Sequence, residues 1–207
     1  MYEAEREALA DRLARREDLS EGTVEAMKAV PRHEFVPDAR KDDAYADRPL
    51  PIGDDQTISA PHMVAIMTEL LDAEEGDRVL EVGTGCGYHA AVTAEVVGAE
   101  NVFSVEFGEG LAERARETLA RIGYDAISIR QGDGREGWPE GAPYDAAYFT
   151  CAVPEIPDAV VEQVRKGGAV LAPVGNGTQR LVRARVGDVG IAERETHGGV
   201  RFVTVRG

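Results

Sequence analysis

The chain has 207 residues, 43% hydrophobic and 29% charged, which fits one domain or one domain with an appendage and excludes a disordered, collagen-like or disulfide-scaffold chain. No run of 18 apolar residues occurs, so no membrane-spanning helix is expected, and the charged start from Met1 to Glu7 does not read as a secretory signal; cytoplasm is the expected location. Asp and Glu number 38 against 23 Lys and Arg, a net charge of −15 that disfavours nucleic acid and anionic membranes as partners.

The cations are lopsided. Lys28, Lys41 and Lys166 are the only lysines, and the other 20 are arginines. Few lysines among many carboxylates suggest a halophilic source, where self-repulsion is screened over about 3 Å at 1 M salt. An acidic surface of that origin weakens the argument from charge against nucleic acid. Cys86 and Cys151 form no framework, and His33, His62, His89 and His197 have no metal-binding spacing, so no metal is expected.

Residues 1–30 read as two polar helices broken at Asp18-Leu19-Ser20, with Ser20 as a cap and Val24, Met27 and Val30 as an apolar stripe. Pro31 to Ile58 reads as a long aperiodic loop rich in proline, expected to close over a substrate. Helical periodicity returns after Ser59 with Met63, Ile66, Met67, Leu70 and Leu71 on one face. Ser59 is placed to cap that helix, and Pro61 sits in its first turn.

Strand and helix then alternate. Strands are expected at 78–82, 101–105, 126–130, 144–150 and 168–173, with helices through Val97, around Leu111–Ile122 and over 156–164. Three short strands follow, at 180–186, 191–196 and 201–205. The expected fold is α/β: a Rossmann-like, doubly wound, mostly parallel sheet with antiparallel C-terminal strands and an N-terminal helical segment. Residues 1–58 would form the N-terminal helices and substrate-side loop, and residues 59–207 the main domain.

Three strand ends carry the chemistry. Glu81-Val82-Gly83-Thr84-Gly85-Cys86-Gly87 runs from a strand through glycines into a helix. The spacing is G-x-G-x-G rather than the G-x-G-x-x-G of dinucleotide sites, and suits a nucleoside bearing an amino acid instead of phosphates. Glu106 closes the next strand, where an acid can accept from ribose hydroxyls or serve the following helix dipole. Gln131-Gly132-Asp133-Gly134 closes the third, where an acid can accept from an adenine amine or simply make a turn.

These segments resemble the class I S-adenosylmethionine-dependent methyltransferases, and in particular the protein-L-isoaspartate O-methyltransferase family. The resemblance covers most of residues 20–207. Its specific parts are Val30–Pro37, Gln56–Ala65, Glu81–Val92, Val153–Pro157 and Gly167–Gly175. It implies methyl transfer from S-adenosylmethionine, leaving S-adenosylhomocysteine, to the free α-carboxyl of isoaspartyl residues in damaged proteins and peptides. Ser59 would stand at the reacting groups. Ser59, His62, Gly83, Thr84, Gly85, Glu106, Asp133 and Gly134 would hold the cofactor, and Thr150 would face the reaction centre or be a plain strand-end hydroxyl. A free carboxyl titrates near 3.5, so the acceptor needs no general base. A monomer is expected.

Other readings are a methyltransferase of RNA or of a small molecule, a nicotinamide dehydrogenase, or a non-catalytic cofactor-binding protein. The sequence departs from the family at Asp54-Asp55, at Phe107-Gly108-Glu109-Gly110, and at the tail, where no proline follows Phe202-Val203. That tail helps bind substrate in the family. Asn176-Gly177 is expected to deamidate readily, because glycine does not hinder succinimide formation.

Overall fold

The structure is a computed structural model that describes residues 2–207. Two helices open it, α1 (Glu3–Glu17) and α2 (Glu21–Ala29). Asp18 turns left-handed between them, and the Ser20 hydroxyl accepts the Thr23 N–H at 3.3 Å, the expected cap.

Residues 31–58 are not an aperiodic loop. They hold 3₁₀ turns at Arg32–Phe35 and Asp38–Asp43 and a hairpin of β1 (Leu50–Gly53) and β2 (Gln56–Ile58). The hairpin turns on Asp54 and Asp55, both at positive φ. Phe35, Val36, Ala44, Leu50 and Ile58 are buried in the same core as Leu9, Leu13, Met27 and Tyr88. Periodicity misses such a segment because its apolar residues point inward from short turns. The segment is pinned by Arg32, which has no exposed surface. Its guanidinium donates to the carbonyls of Ala44 (2.9 Å) and Arg48 (3.4 Å) and lies 4.9 Å from the centre of the Tyr88 ring. Among the described residues no carboxylate forms an ion pair with it, and burial pulls its pKa down.

The helix after Ser59 is α3 (Pro61–Leu71). Its cap position is Ala60, without a side-chain bond, so the capping expectation for Ser59 fails: Pro61 starts the helix one residue too late. Then come β3 (Val79–Val82), α4 (Tyr88–Val97), β4 (Val102–Glu106), α5 (Glu109–Arg121), β5 (Ser128–Gln131) and β6 (Tyr144–Phe149). The rest is α6 (Asp158–Val161), β7 (Val164–Val174), β8 (Gln179–Val186) and β9 (Ile191–Val200).

Seven strands form one sheet in the order β5-β4-β3-β6-β7-β8-β9. The first five positions are parallel, and β8 and β9 join antiparallel. The α/β architecture is therefore as expected. Alternate residues serve two cores. Val79 and Tyr148 pack toward the N-terminal helices and α3 and α4; Leu80, Val82 and Phe149 pack toward α6 on the other face. The chain winds from β3 to β4 and β5 on one side, then to β6 and β7 on the other. Ligands of open α/β sheets bind at the strand ends beside such a reversal.

Two expected elements change. The helix over 156–164 shrinks to α6, because Gln163 is claimed by other partners: its carbonyl takes the Tyr144 N–H (2.9 Å) and its side chain bonds Trp138 N and Glu136 O (2.7 Å each). Residues 201–205 form no strand of the sheet. The tail instead runs beside residues 152–153, with Ala152 N donating to Val203 O (2.7 Å) and Val205 N to Ala152 O (2.8 Å). Asn176 and Gly177 lie exposed in the β7–β8 turn, and Gly177 has φ +92°.

Arg32→Lys should lower unfolding stability by about 1–3 kcal/mol in denaturant titration, because one ammonium cannot serve both carbonyls in the fork geometry of a guanidinium. Unchanged stability would show that Arg32 does not pin this segment.

Candidate functional site

A cavity of about 800 Å³, open to solvent, lies at the carboxyl ends of β3 and β4. The loop Gly83-Thr84-Gly85 forms one wall, with Val82, Glu106 and Gly134 beside it. Gly83 is required twice over. Its φ is +101°, and a Cβ there would sit 2.4 Å from Thr150 Oγ1. Gly134 is required by packing rather than by a ligand, since a Cβ there would sit 2.3 Å from Val82 Cγ1.

The Glu106 carboxylate accepts the Gly85 and Gly108 N–H groups at 2.9 Å each. One bond per oxygen leaves further acceptor positions on both oxygens. Phe107 follows at the rim, 45% exposed, an unusually open aromatic that the sequence reading noted only as a departure. Its signal was available: a large apolar residue directly after the strand-end acid.

The buried titratable groups on and behind the cavity wall are neutral. Glu81 is fully buried in β3, and desolvation pushes its pKa from 4.5 up to about 8. It is bonded to Ser104 and accepts from Tyr148 OH (2.8 Å); Ser104 Oγ pairs with Thr84 Oγ1 at 2.6 Å, and Tyr148 OH with Thr93 Oγ1 at 3.0 Å. This network ties the buried acid to the glycine loop. His89, whose pKa burial lowers to about 3, stacks 4.5 Å from Tyr148 and is neutral. Burial raises the thiols of Cys86 to about 11 and Cys151 to about 12, so neither is a thiolate nucleophile near pH 7.

A second recess, about 710 Å³, adjoins the cavity. Thr57, Ser59, Thr150 and Val203 line both chambers. Three hydroxyls thus mark the junction. Thr150 Oγ1 donates to the backbone of Val82 (3.3 Å) and Gly83, which fixes it there.

Of the expected site residues, Ser59, Gly83, Thr84, Gly85, Glu106 and Gly134 come together around the cavity. His62 and Asp133 do not. His62 lines only the recess, where Asp47 Oδ1 takes its backbone N–H (2.9 Å) and its Nδ1 (2.8 Å). The Asp133 carboxylate is held by Arg135, with Nη2 at 2.6 Å and Nε at 3.0 Å from its oxygens. Neither engagement is readable from local sequence, since Asp47 lies 15 residues from His62. Val203 to Arg206 also wall the cavity, although they are not strand. No group of three or more His, Cys, Asp or Glu residues that could hold a metal occurs among the described residues.

A doubly wound sheet with a cavity at its reversal point, walled by a glycine loop and a strand-end carboxylate, fits the class I methyltransferases. The family described as protein-L-isoaspartate(D-aspartate) O-methyltransferase matches residues 4–207, and the chain belongs to it. It is 52% identical over 207 residues to protein-L-isoaspartate O-methyltransferase 2 of Archaeoglobus fulgidus, covering 100% of this chain and 94% of that protein. It is 47% identical over 211 residues to the protein-L-isoaspartate O-methyltransferase of Methanopyrus kandleri, covering 100% and 93%. A solved protein-L-isoaspartate O-methyltransferase structure superposes with TM-score 0.91 at 31% identity, over 98% of this chain and 66% of that chain. A Plasmodium falciparum structure in complex with S-adenosyl-L-homocysteine shares the fold, with TM-score 0.83 at 24% identity over 97% and 98%.

Glu81 ties stability to pH. Its folded pKa, about 8, exceeds its ordinary 4.5, so between these values only the unfolded chain ionises it and stability falls as pH rises. Glu81→Gln removes this dependence. Relative to the parent, the variant should gain about 1.4 kcal/mol per pH unit inside that window, measured by denaturant unfolding at pH 5.5, 6.5 and 7.5. Parallel profiles would show that Glu81 is ionised in the fold.

Proposed function

We propose that this chain transfers the methyl group of S-adenosylmethionine to the free α-carboxyl of isoaspartyl residues in damaged proteins and peptides, the first step of their repair. Family membership supports the reaction. The observation that carries the site assignment is the junction of two chambers, lined from both sides by Thr57, Ser59 and Thr150. The cavity takes the cofactor and the recess takes the acceptor.

The residues present fit S-adenosylmethionine. Gly83, Thr84 and Gly85 offer a close backbone approach, Glu106 retains acceptor positions for ribose hydroxyls, and Phe107 offers a ring face at the rim. When bound, the cofactor supplies a methyl group on a sulfonium cation. His89 on the wall and Glu81 buried behind it are neutral and add no competing anion. Gly134 shapes the cavity wall. Asp133 is kept as the adenine-side acid of this reading, reached once Arg135 releases it. His62 belongs to the acceptor side, on the recess wall.

The acceptor carboxylate is anionic at neutral pH and needs no base. Ser59 is the residue we assign to orient it: its hydroxyl makes no bond to the protein among the described residues and lies at the junction. Alignment and exclusion of water are what the chain contributes to the rate. Methylation of RNA is not favoured, since the matching family and the similar curated proteins carry the name of the isoaspartyl reaction. We read the acidic surface as adaptation to a salt-rich cytoplasm, and the chain as a monomer without nucleic-acid or membrane partners. No helix among the described residues is long and apolar enough to cross a membrane.

The test is transfer of labelled methyl from S-adenosylmethionine to an isoaspartyl peptide, with the aspartyl peptide as control, at 0.1 M and 1 M KCl. Transfer to the isoaspartyl form alone is expected. Ser59→Ala should lower kcat roughly 10- to 100-fold, the scale of losing one hydrogen bond to a charged group, while S-adenosylhomocysteine still binds. Equal transfer to both peptides would sink the proposed substrate. An unchanged kcat in the Ser59 variant would sink the proposed role of that residue.

A further inference from the structure

The recess beside Ser59 has a charge pattern opposite to that of the chain. The protein carries 38 acidic residues, yet no carboxylate lines the recess. Its charged or titratable groups are Arg201 and His62. The acid behind His62 is already engaged: Asp47 Oδ1 holds His62, and Asp47 Oδ2 accepts from Arg16 Nη2 at 2.8 Å. A carboxylate only accepts, so the imidazole carries its proton on Nδ1, and this fixes the ring against the wall.

Arg201 makes no ion pair with any carboxylate among the described residues, and of the two titratable groups on the recess it is the one that no acid already holds. Its backbone is held from both sides. Gly199 pairs with Arg180 across β8 and β9. Phe202 N donates to Gln179 Oε1 at 2.6 Å, and Gln179 Nε2 donates to Phe202 O at 3.0 Å. A guanidinium free of internal acids, on an anchored backbone, belongs to a residue that lines the recess.

The reacting carboxylate does not answer to Arg201. It must sit at the junction, and Arg201 lines only the recess. Resting on the isoaspartyl reading above, we infer that Arg201 is a specificity-determining residue: it selects acceptors that carry an Asp or Glu side chain beside the isoaspartyl residue. An acidic chain thereby keeps one place where an acidic acceptor is not repelled.

The experiment uses three isoaspartyl peptides, acetylated and C-terminally amidated so that no terminal carboxylate competes. They differ only in the residue after the isoaspartyl position: Glu, Ala or Lys. For the parent at 0.1 M KCl, KM for the Glu peptide should be about three- to fivefold below that for the Lys peptide, the range of a single partly exposed ion pair. The ratio should shrink at 1 M KCl. R201E should reverse the order, with the Lys peptide now having the lower KM. A structural role for Arg201 would move all three values together, so an order preserved in R201E overturns the inference, as do equal KM values in the parent. Absence of transfer to all three peptides would overturn the isoaspartyl reading itself, a result distinct from equal transfer.

Discussion

The structure depends on β3, a central strand with no solvent on either face that nonetheless carries a carboxylic acid. A strand between two parallel neighbours must be apolar on both sides or supply its polar groups with partners. Glu81 takes the second course, through Ser104 on β4 and Tyr148 on β6. Those are the two strands that flank β3, one reached in each winding direction. The same hydrogen bonds therefore register both halves of the sheet against the strand that ends in the glycine loop, and Thr84 Oγ1 on Ser104 extends that register into the cavity wall. A half-satisfied version of this network would be worse than an apolar one. The acid is accommodated because it stays protonated, which burial enforces and the charge of Glu106 reinforces.

That arrangement leaves the cavity electrostatically simple. Glu106 is the one carboxylate on its wall and Arg206 the one guanidinium, at the tail. Neutral Glu81, neutral His89 and two protonated thiols contribute shape without charge. Group transfer from a cationic donor to an anionic acceptor needs no proton movement, so a site that holds its titratable groups in their neutral forms suits it. The chemical demand falls on alignment, and the fixed hydroxyls at the junction answer it. Thr150 is locked by the backbone of β3's own exit, whereas Ser59 keeps its hydroxyl uncommitted.

Much of this was legible in the sequence, for reasons that differ from part to part. The alternation of strand and helix fixed the sheet, because buried parallel strands and amphipathic helices have local signatures. The glycine loop and Glu106 were legible because backbone demands and strand ends restrict which residues can stand there. What stayed hidden depends on partners distant in the chain. Glu81 stands within its motif in the sequence, but its neutrality depends on burial between β4 and β6, strands that come later in the chain. Ser59 read as a helix cap because the preference of serine for that position is local, and the true cap, Ala60, has no side chain to announce it. Residues 31–58 looked like an open loop because turns that bury scattered apolar side chains have no period. Asp133 and His62 each read as a free ligand group until Arg135 and Asp47 appeared beside them.

The tail shows the same limit most sharply. Residues 201–205 alternate like a strand, and β9 ends just before them, yet the polar side chain of Gln179 takes both backbone groups of Phe202. One glutamine thus substitutes for a strand partner and turns the chain from the sheet edge toward residues 152–153. An additional edge strand would have carried Val203 to Arg206 away from the cofactor cavity and left its mouth open. By ending the ladder at β9, the side chain of Gln179 puts the last residues of the chain over both chambers at once, with Arg201 and Phe202 on the recess and Val205 and Arg206 on the cavity. The recess we assign to the acceptor is consequently built from segments far apart in the sequence, residues 57–63 and the tail after β9, and it exists only when both are packed against the same strand ends.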